Sequence, residues 1–140
     1  MTIRDLAVMG KSHVKKDSLQ KVTGKARFAA DMNICNALYG GVLRSTVPHA
    51  TIKRFDASKA LALPGVHCVL TSKDIPGKNR IGIIIKDEPC LVDDKIRRVG
   101  DAIAIVAADT QELVDEALEL IEVEYDLLEP IFTIERAAQE

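Results

Sequence analysis

The sequence predicts an α+β fold with a mixed sheet, one main amphipathic helix and several short helices. Three neighbouring stretches carry this. "DAIAIVAAD", Asp101 to Asp109, is almost continuously apolar, as in a strand buried on both faces. "TQELVDEALELI" follows and places Leu113, Val114, Ala117, Leu118 and Ile121 on one helical face, with Glu112, Asp115, Glu116 and Glu119 on the other. "IEVEYDLL" then alternates Ile121, Val123 and Tyr125 with Glu122, Glu124 and Asp126, the period of a half-buried strand. This order predicts a βαβ unit with its strands side by side and the helix over one face. Asp109 reads as the helix N-cap, with Glu112 three residues on.

The other elements follow from local signals. Residues 1–20 are polar and unpatterned and read as an extended arm. "ARFAADM", Ala26 to Met32, reads as a first strand after the turn at Gly24. "ALYGGVLRS" reads as a second, and its paired Gly40 and Gly41 signal a bulge or a close backbone approach. "ATIKRF" is a third. "DASKALAL" is a two-turn helix with Asp56 as N-cap, stopped at Pro64-Gly65. "VHCVL" alternates Val66, Cys68 and Leu70 inward, which makes Cys68 a small buried apolar residue. "TSKDIPG" is a tight turn or a single 3₁₀ turn. Ile81 to Ile85 is either a short strand or an apolar loop that needs cover from another chain. "TIERAAQE" is a last short helix.

The composition suits one folded domain. The 140 residues are 47% hydrophobic and 29% charged, with no Trp and 4% aromatics, so the core rests on Val, Ile, Leu and Ala. No apolar run reaches the roughly 20 residues of a membrane span, and the first residues lack a secretory signal. We therefore expect a cytoplasmic protein with no membrane partner. Residues 1–100 hold 18 Lys and Arg against 9 Asp and Glu, and residues 101–140 hold 1 against 12. The acidic part is either a solvated face or a contact for a basic partner. The basic part has no aromatic interleaving, so no nucleic acid is expected.

Catalytic chemistry is hard to place. His13, His49 and His67 have no carboxylate or cysteine at ligand spacing. Cys35, Cys68 and Cys90 form no C-x-x-C pair, so neither zinc nor a disulfide framework is expected. There is no G-x-S-x-G elbow, dinucleotide fingerprint or phosphate loop. Asp87-Glu88 and Asp93-Asp94 are adjacent loop carboxylates, a solvated pattern. His49, in "RSTVPHATI", is either a satisfied loop histidine or a functional one.

The ordered motifs resemble a known family. They run through Gly10-Lys11, Asp17, Lys21-Val22-Thr23-Gly24, Ala26, Phe28 and Asp31, then Leu38-Tyr39, Leu43-Arg44-Ser45, His49-Ala50 and Ile52. Asp56, Ala60, "LPGVHCVLTSKDIPG", "KIRRVGDAIAIVAA", Ala117 and "IEVEYDLLEP" follow. Over residues 10–135 the chain resembles the N-terminal α/β-hammerhead domain of the molybdopterin-binding large subunit of molybdenum hydroxylases, the xanthine dehydrogenase and aldehyde oxidase family. It departs at Ala102, where the family usually has proline, and at Arg98, where it often has an aromatic.

The resemblance implies residues 1–16 as an arm, 17–135 as the hammerhead domain and 136–140 as the end of a fragment. It implies an oxidoreductase that hydroxylates a purine, an aldehyde or an aromatic thioester with water, at molybdenum held by a pterin. Electrons would leave through iron–sulfur clusters and often FAD on partner domains or subunits. The family's base and pterin-binding residues match nothing here, so catalytic, cofactor-binding and metal residues are expected to be none. The expected role is architectural, packing against the remainder of the large subunit. Arg44, His49, Ile83, Ile84 and Ile85 are the interface candidates. The alternative is a free-standing binding or adaptor module.

Overall fold

The computed structural model describes residues 8–32 and 34–139. The chain divides into two units, Met1–Asn36 and Ala37–Glu140. In the first, helix α1 spans Ser18–Val22, with Asp17 paired to Lys21 one turn on. Gly24, at φ +69°, closes it. The arm expected over residues 1–20 is therefore helical from Ser18, and its first seven residues lie outside the described ones. "ARFAADM" is not a strand. Its Ala29–Asp31 form a 3₁₀ turn, because the Asp31 carboxylate accepts the Phe28 N–H at 2.9 Å. A local carboxylate that captures a backbone donor competes with strand pairing.

The second unit holds six strands: β1 Tyr39–Arg44, β2 Ala50–Asp56, β3 Val66–Leu70, β4 Lys95–Ile96, β5 Ala102–Ala108 and β6 Glu122–Leu127. Helices α2 (Ser58–Leu61), α3 (Gln111–Leu120) and α4 (Ile134–Ala137) complete it, with a 3₁₀ turn at Ser72–Asp74. The α+β class holds. The strands form two antiparallel sheets, ordered β1-β5-β3 and β4-β2-β6, where one mixed sheet was expected. The expected βαβ unit does not form. β5 and β6 flank α3 in sequence yet belong to different sheets, so α3 carries the chain from one to the other.

Packing explains the arrangement. The inner face of α3 and β5 buries Val106, Val114 and Ala117 completely. Phe55, Val66, Val69 and Val123 close around Val106, Ala117 and Ile121. A second cluster of Val92, Ile96 and Ile103 draws on both sheets through Leu43, Ile52, Phe55 and Tyr125. Leu43 and Phe55 touch both clusters and bind the sheets into one core.

Gly41 lets β1 lie close under α3, since a Cβ there would come within 2.3 Å of Val114 Cγ1. The expected close approach is thus real, while the irregularity in β1 falls between Leu43 and Arg44.

Several expected details shift. Thr110, not Asp109, caps α3, its Oγ1 accepting the Leu113 N–H. The α2 helix is one turn, not two. Asp56 serves its start from one residue further back, accepting the Ser58 N–H at 3.0 Å and O–H at 2.6 Å. In β3 an irregularity between Val66 and Cys68 turns Val69 into the core. Leu70 is left exposed and Cys68 half-buried. Among the described residues no helix is long and apolar enough to cross a membrane.

Candidate interaction surface

The turn between β4 and β5 organises one face of the second unit. Gly100 takes φ +93°, a conformation that glycine adopts without strain. Asp101 then folds back, and its Oδ2 accepts the N–H groups of Arg97 and Arg98 at 2.9 and 3.2 Å. Its Oδ1 accepts Arg98 Nε–H at 3.0 Å. One carboxylate thus fixes the direction of two guanidinium-bearing residues. Ser45, at the end of β1, brackets the turn by accepting the Gly100 N–H and donating to the Asp101 carbonyl, both at 2.8 Å.

One sequence candidate meets this turn and another lines the depression beside it. Arg44 donates to the Gly100 carbonyl at 2.9 Å. His49 donates through Nδ1 to the Glu129 carbonyl at 2.9 Å, and its own carbonyl accepts the Leu128 N–H at 3.0 Å. His49 therefore holds the chain just after β6, so that Pro130, Ile131 and Phe132 face Arg97, Arg98 and Val99 across a depression of about 560 Å³.

The isoleucine candidates lie on a separate loop. Ile81 and Glu88 exchange two backbone hydrogen bonds, at 2.7 and 3.2 Å, and close its base. Gly82, at φ +151°, lets the loop fold so tightly that a Cβ there would strike the Ile85 carbonyl oxygen. Ile83 and Ile84 are 102% and 94% exposed, and Ile85 70%. The segment is the apolar loop, not the strand, of the two sequence readings. Glu88 pairs with Arg98, which ties the loop base to the β4–β5 turn. Asn79 grips the far side, donating to the Leu91 carbonyl at 2.7 Å and accepting its N–H at 3.0 Å.

Sequence reasoning passed over Asp101, Lys95, Arg97 and Phe132. The signals were present in "KIRRVGD", which groups three cations before a Gly-Asp turn, and in "EPIF", an apolar step after a strand. His67, on β3, is a surface histidine whose Nε2 donates to Asp109 Oδ1 at 2.8 Å. The outer face of α3 is exposed at Glu112, Asp115, Glu116 and Glu119. Cys35, Cys68 and Cys90 are unpaired thiols. Among the described residues no three His, Cys, Asp or Glu side chains come together as a metal site. The face combines backbone-anchored cations, apolar residues turned outward, and carboxylates that order their own turns.

Comparison with known proteins agrees in sequence and in shape. Residues 23–129 match the family model described as "Aldehyde oxidase and xanthine dehydrogenase, a/b hammerhead domain". The chain is 63% identical over 137 residues to the nicotinate dehydrogenase large molybdopterin subunit of Eubacterium barkeri, covering 98% of this chain and 32% of that protein. It is 49% identical over 126 residues to a probable xanthine dehydrogenase subunit of Bacillus subtilis, covering 90% of this chain and 17% of that one. The solved aldehyde oxidoreductase of Desulfovibrio desulfuricans superposes with a TM-score of 0.80 at 38% identity, over 87% of this chain and 15% of that one. The chain thus spans a third or less of the length of these relatives. It belongs to the aldehyde oxidase and xanthine dehydrogenase family, as the a/b hammerhead domain of such proteins.

Proposed function

We propose that this chain is the architectural domain of a cytoplasmic molybdenum hydroxylase, with residues 17–135 as the hammerhead domain of its large subunit. The observation that carries the reading is its near-complete alignment, at 63% identity, with one third of a nicotinate dehydrogenase large molybdopterin subunit. That identity exceeds the 49% to a probable xanthine dehydrogenase subunit. It favours an N-heteroaromatic acid of the nicotinate kind as the substrate of the whole enzyme. In this reading the molybdenum–pterin group belongs on the remainder of the subunit. Iron–sulfur clusters and FAD belong on partner domains or subunits.

In this reading Arg44, His49 and Ile83–Ile85 face the cofactor-binding remainder. Arg44 and His49 each give one hydrogen bond to a backbone carbonyl. Replacing either with Ala costs the isolated chain about 0.5–1.5 kcal/mol and leaves it folded. The same changes lower the molybdenum content of the assembled enzyme.

The test is recovery of the complex from its native host through a tag on this chain. Molybdenum and pterin are then measured, and nicotinate, xanthine and an aldehyde are assayed. Molybdenum in stoichiometric amount with nicotinate turnover supports the proposal. Recovery of this chain without a molybdenum-bearing polypeptide overturns it in favour of a free-standing module.

A further inference from the structure

The depression beside His49 has a composition that nothing within the second unit explains. Its apolar wall is Pro130, Ile131 and Phe132, with Val99 opposite, and its cations are Lys95, Arg97 and Arg98. Phe132 is 77% exposed and Val99 62%. Arg98 is matched by Glu88 and Asp101, and the nearby Glu129 is taken by Arg136. Lys95 and Arg97 pair with no carboxylate among the described residues, and Arg97 donates instead to the Lys95 carbonyl. Lys95 is half-buried, because β4 lies antiparallel against Thr51 of β2. A cation beside exposed apolar side chains is costly to desolvate unless an anion meets it.

We propose that this depression receives an acidic–apolar segment from the remainder of the large subunit. One carboxylate would lie between Lys95 and Arg97, with a neighbouring apolar side chain on Phe132. The inference rests on the reading of the chain as one domain of a longer subunit. Charge complementarity selects the occupant. A volume of about 560 Å³ holds a few side chains, not a folded domain. A second copy of this chain is a poor fit. Its main acidic surface, the outer face of α3, presents Glu112, Asp115, Glu116 and Glu119 with the helix's apolar residues turned inward.

The test uses the complex recovered through the tag, treated with a carbodiimide that joins an amine directly to a touching carboxylate. Peptide mapping then locates the partner of Lys95. The expected result is an amide between Lys95 and an Asp or Glu of the molybdenum-bearing polypeptide, outside these 140 residues. K95R keeps the cation, abolishes this link and assembles normally. K95E combined with R97E lowers recovery of the assembled complex by about tenfold, a change typical of breaking a close interfacial charge pair. Three results overturn the proposal: a link to a second copy, a link to another subunit, or a Lys95 that stays open to small amine reagents in the complex. Absence of molybdenum from the recovered material instead tells against the parent reading, so the two failures are distinct.

Discussion

The sheet under α3 and the segment from residue 78 to residue 101 are held by different balances of burial and hydrogen bonding. The first is held by apolar burial, with Val106, Val114 and Ala117 fully enclosed. The second buries Leu91, Val92 and Ile96 but is shaped by polar clasps: Asn79 on the Leu91 backbone, Arg80 on Asp93, Arg98 on Glu88, and Asp101 on its own turn. The isoleucines of its 81–85 loop point outward, while Ile96 is buried. Burial is non-directional and tolerates adjustment, whereas hydrogen bonds fix geometry. Under the proposed function, a region that presents a shape to another protein gains from the second kind of support, because little then needs ordering on contact.

The largest effect that separates the two regions is expected at Ile121, which is 8% exposed where α3 meets β6. Ile121→Ala removes three carbons from a packed cluster and should cost about 2–5 kcal/mol in denaturant unfolding. A loss below about 0.5 kcal/mol, the size of a surface change, would remove Ile121 from the core. Leu118, assigned to the same face from sequence, is only partly buried, though it packs on the cluster. It is expected to fall below Ile121 in the same measurement.

The contrast also explains what the sequence could and could not reveal. Periodicity reports burial, so the inner face of α3 and the alternation of Val123 and Tyr125 were legible as residues. Their pairing was not. A strand–helix–strand order is as compatible with two sheets as with one, and the choice rests on distant partners, Val42 for Ile105 and Ile52 for Tyr125. The Thr110 cap was missed by one residue because Asp109 and Thr110 are both good caps and adjacent. The strand read into "ARFAADM" failed because one carboxylate, Asp31, outcompeted any partner strand for the Phe28 N–H. The clasps of the second region have no period, so Asn79 left no pattern to read and Asp101 only the local Gly-Asp turn in "KIRRVGD".

A middle-sized effect is expected at Asn79. Its amide satisfies both backbone groups of Leu91, a residue 5% exposed. Asn79→Ala leaves a buried donor and acceptor unmatched, and should cost about 1–3 kcal/mol. The damage should be local. Hydrogen exchange should quicken at Leu91 and across the 81–88 loop, while Val106 in β5 keeps its protection. Equal loss at both places would mean that the two regions unfold as one.

Acid should loosen the polar region first. Burial raises the Asp93 carboxyl, but hydrogen bonding and charge from Arg80, with backbone N–H groups, outweigh it and hold the pKa below the ordinary value. A carboxyl lowered in the folded state stabilises above the unfolded pKa, about 3.9. That contribution disappears as pH falls through the folded value. Exchange protection in the 79–93 segment should therefore drop as pH falls below about 4, with little change in β5. Asp93→Asn should show the loosened state already at neutral pH and lose that pH dependence. Uniform loosening across both regions would count against the polar clasp.

The smallest effect on stability is expected where the surface is most conspicuous. Ile83 and Ile84 touch almost nothing in the isolated chain, being 102% and 94% exposed. Replacing both with Ser should move the unfolding free energy by no more than about 0.5 kcal/mol. The loop base should survive, because its hydrogen bonds join Ile81 to Glu88 through backbone atoms and its turn depends on Gly82. The cost of exposing them is instead borne in water, where burying one such side chain is worth about 1.5–3 kcal/mol. If the remainder of the large subunit covers this loop, the double substitution should sharply lower recovery of the assembled complex while the isolated chain becomes more soluble. Unchanged assembly with unchanged stability would show that the loop stays bare in the enzyme, and would leave the polar clasps presenting the Lys95 depression alone.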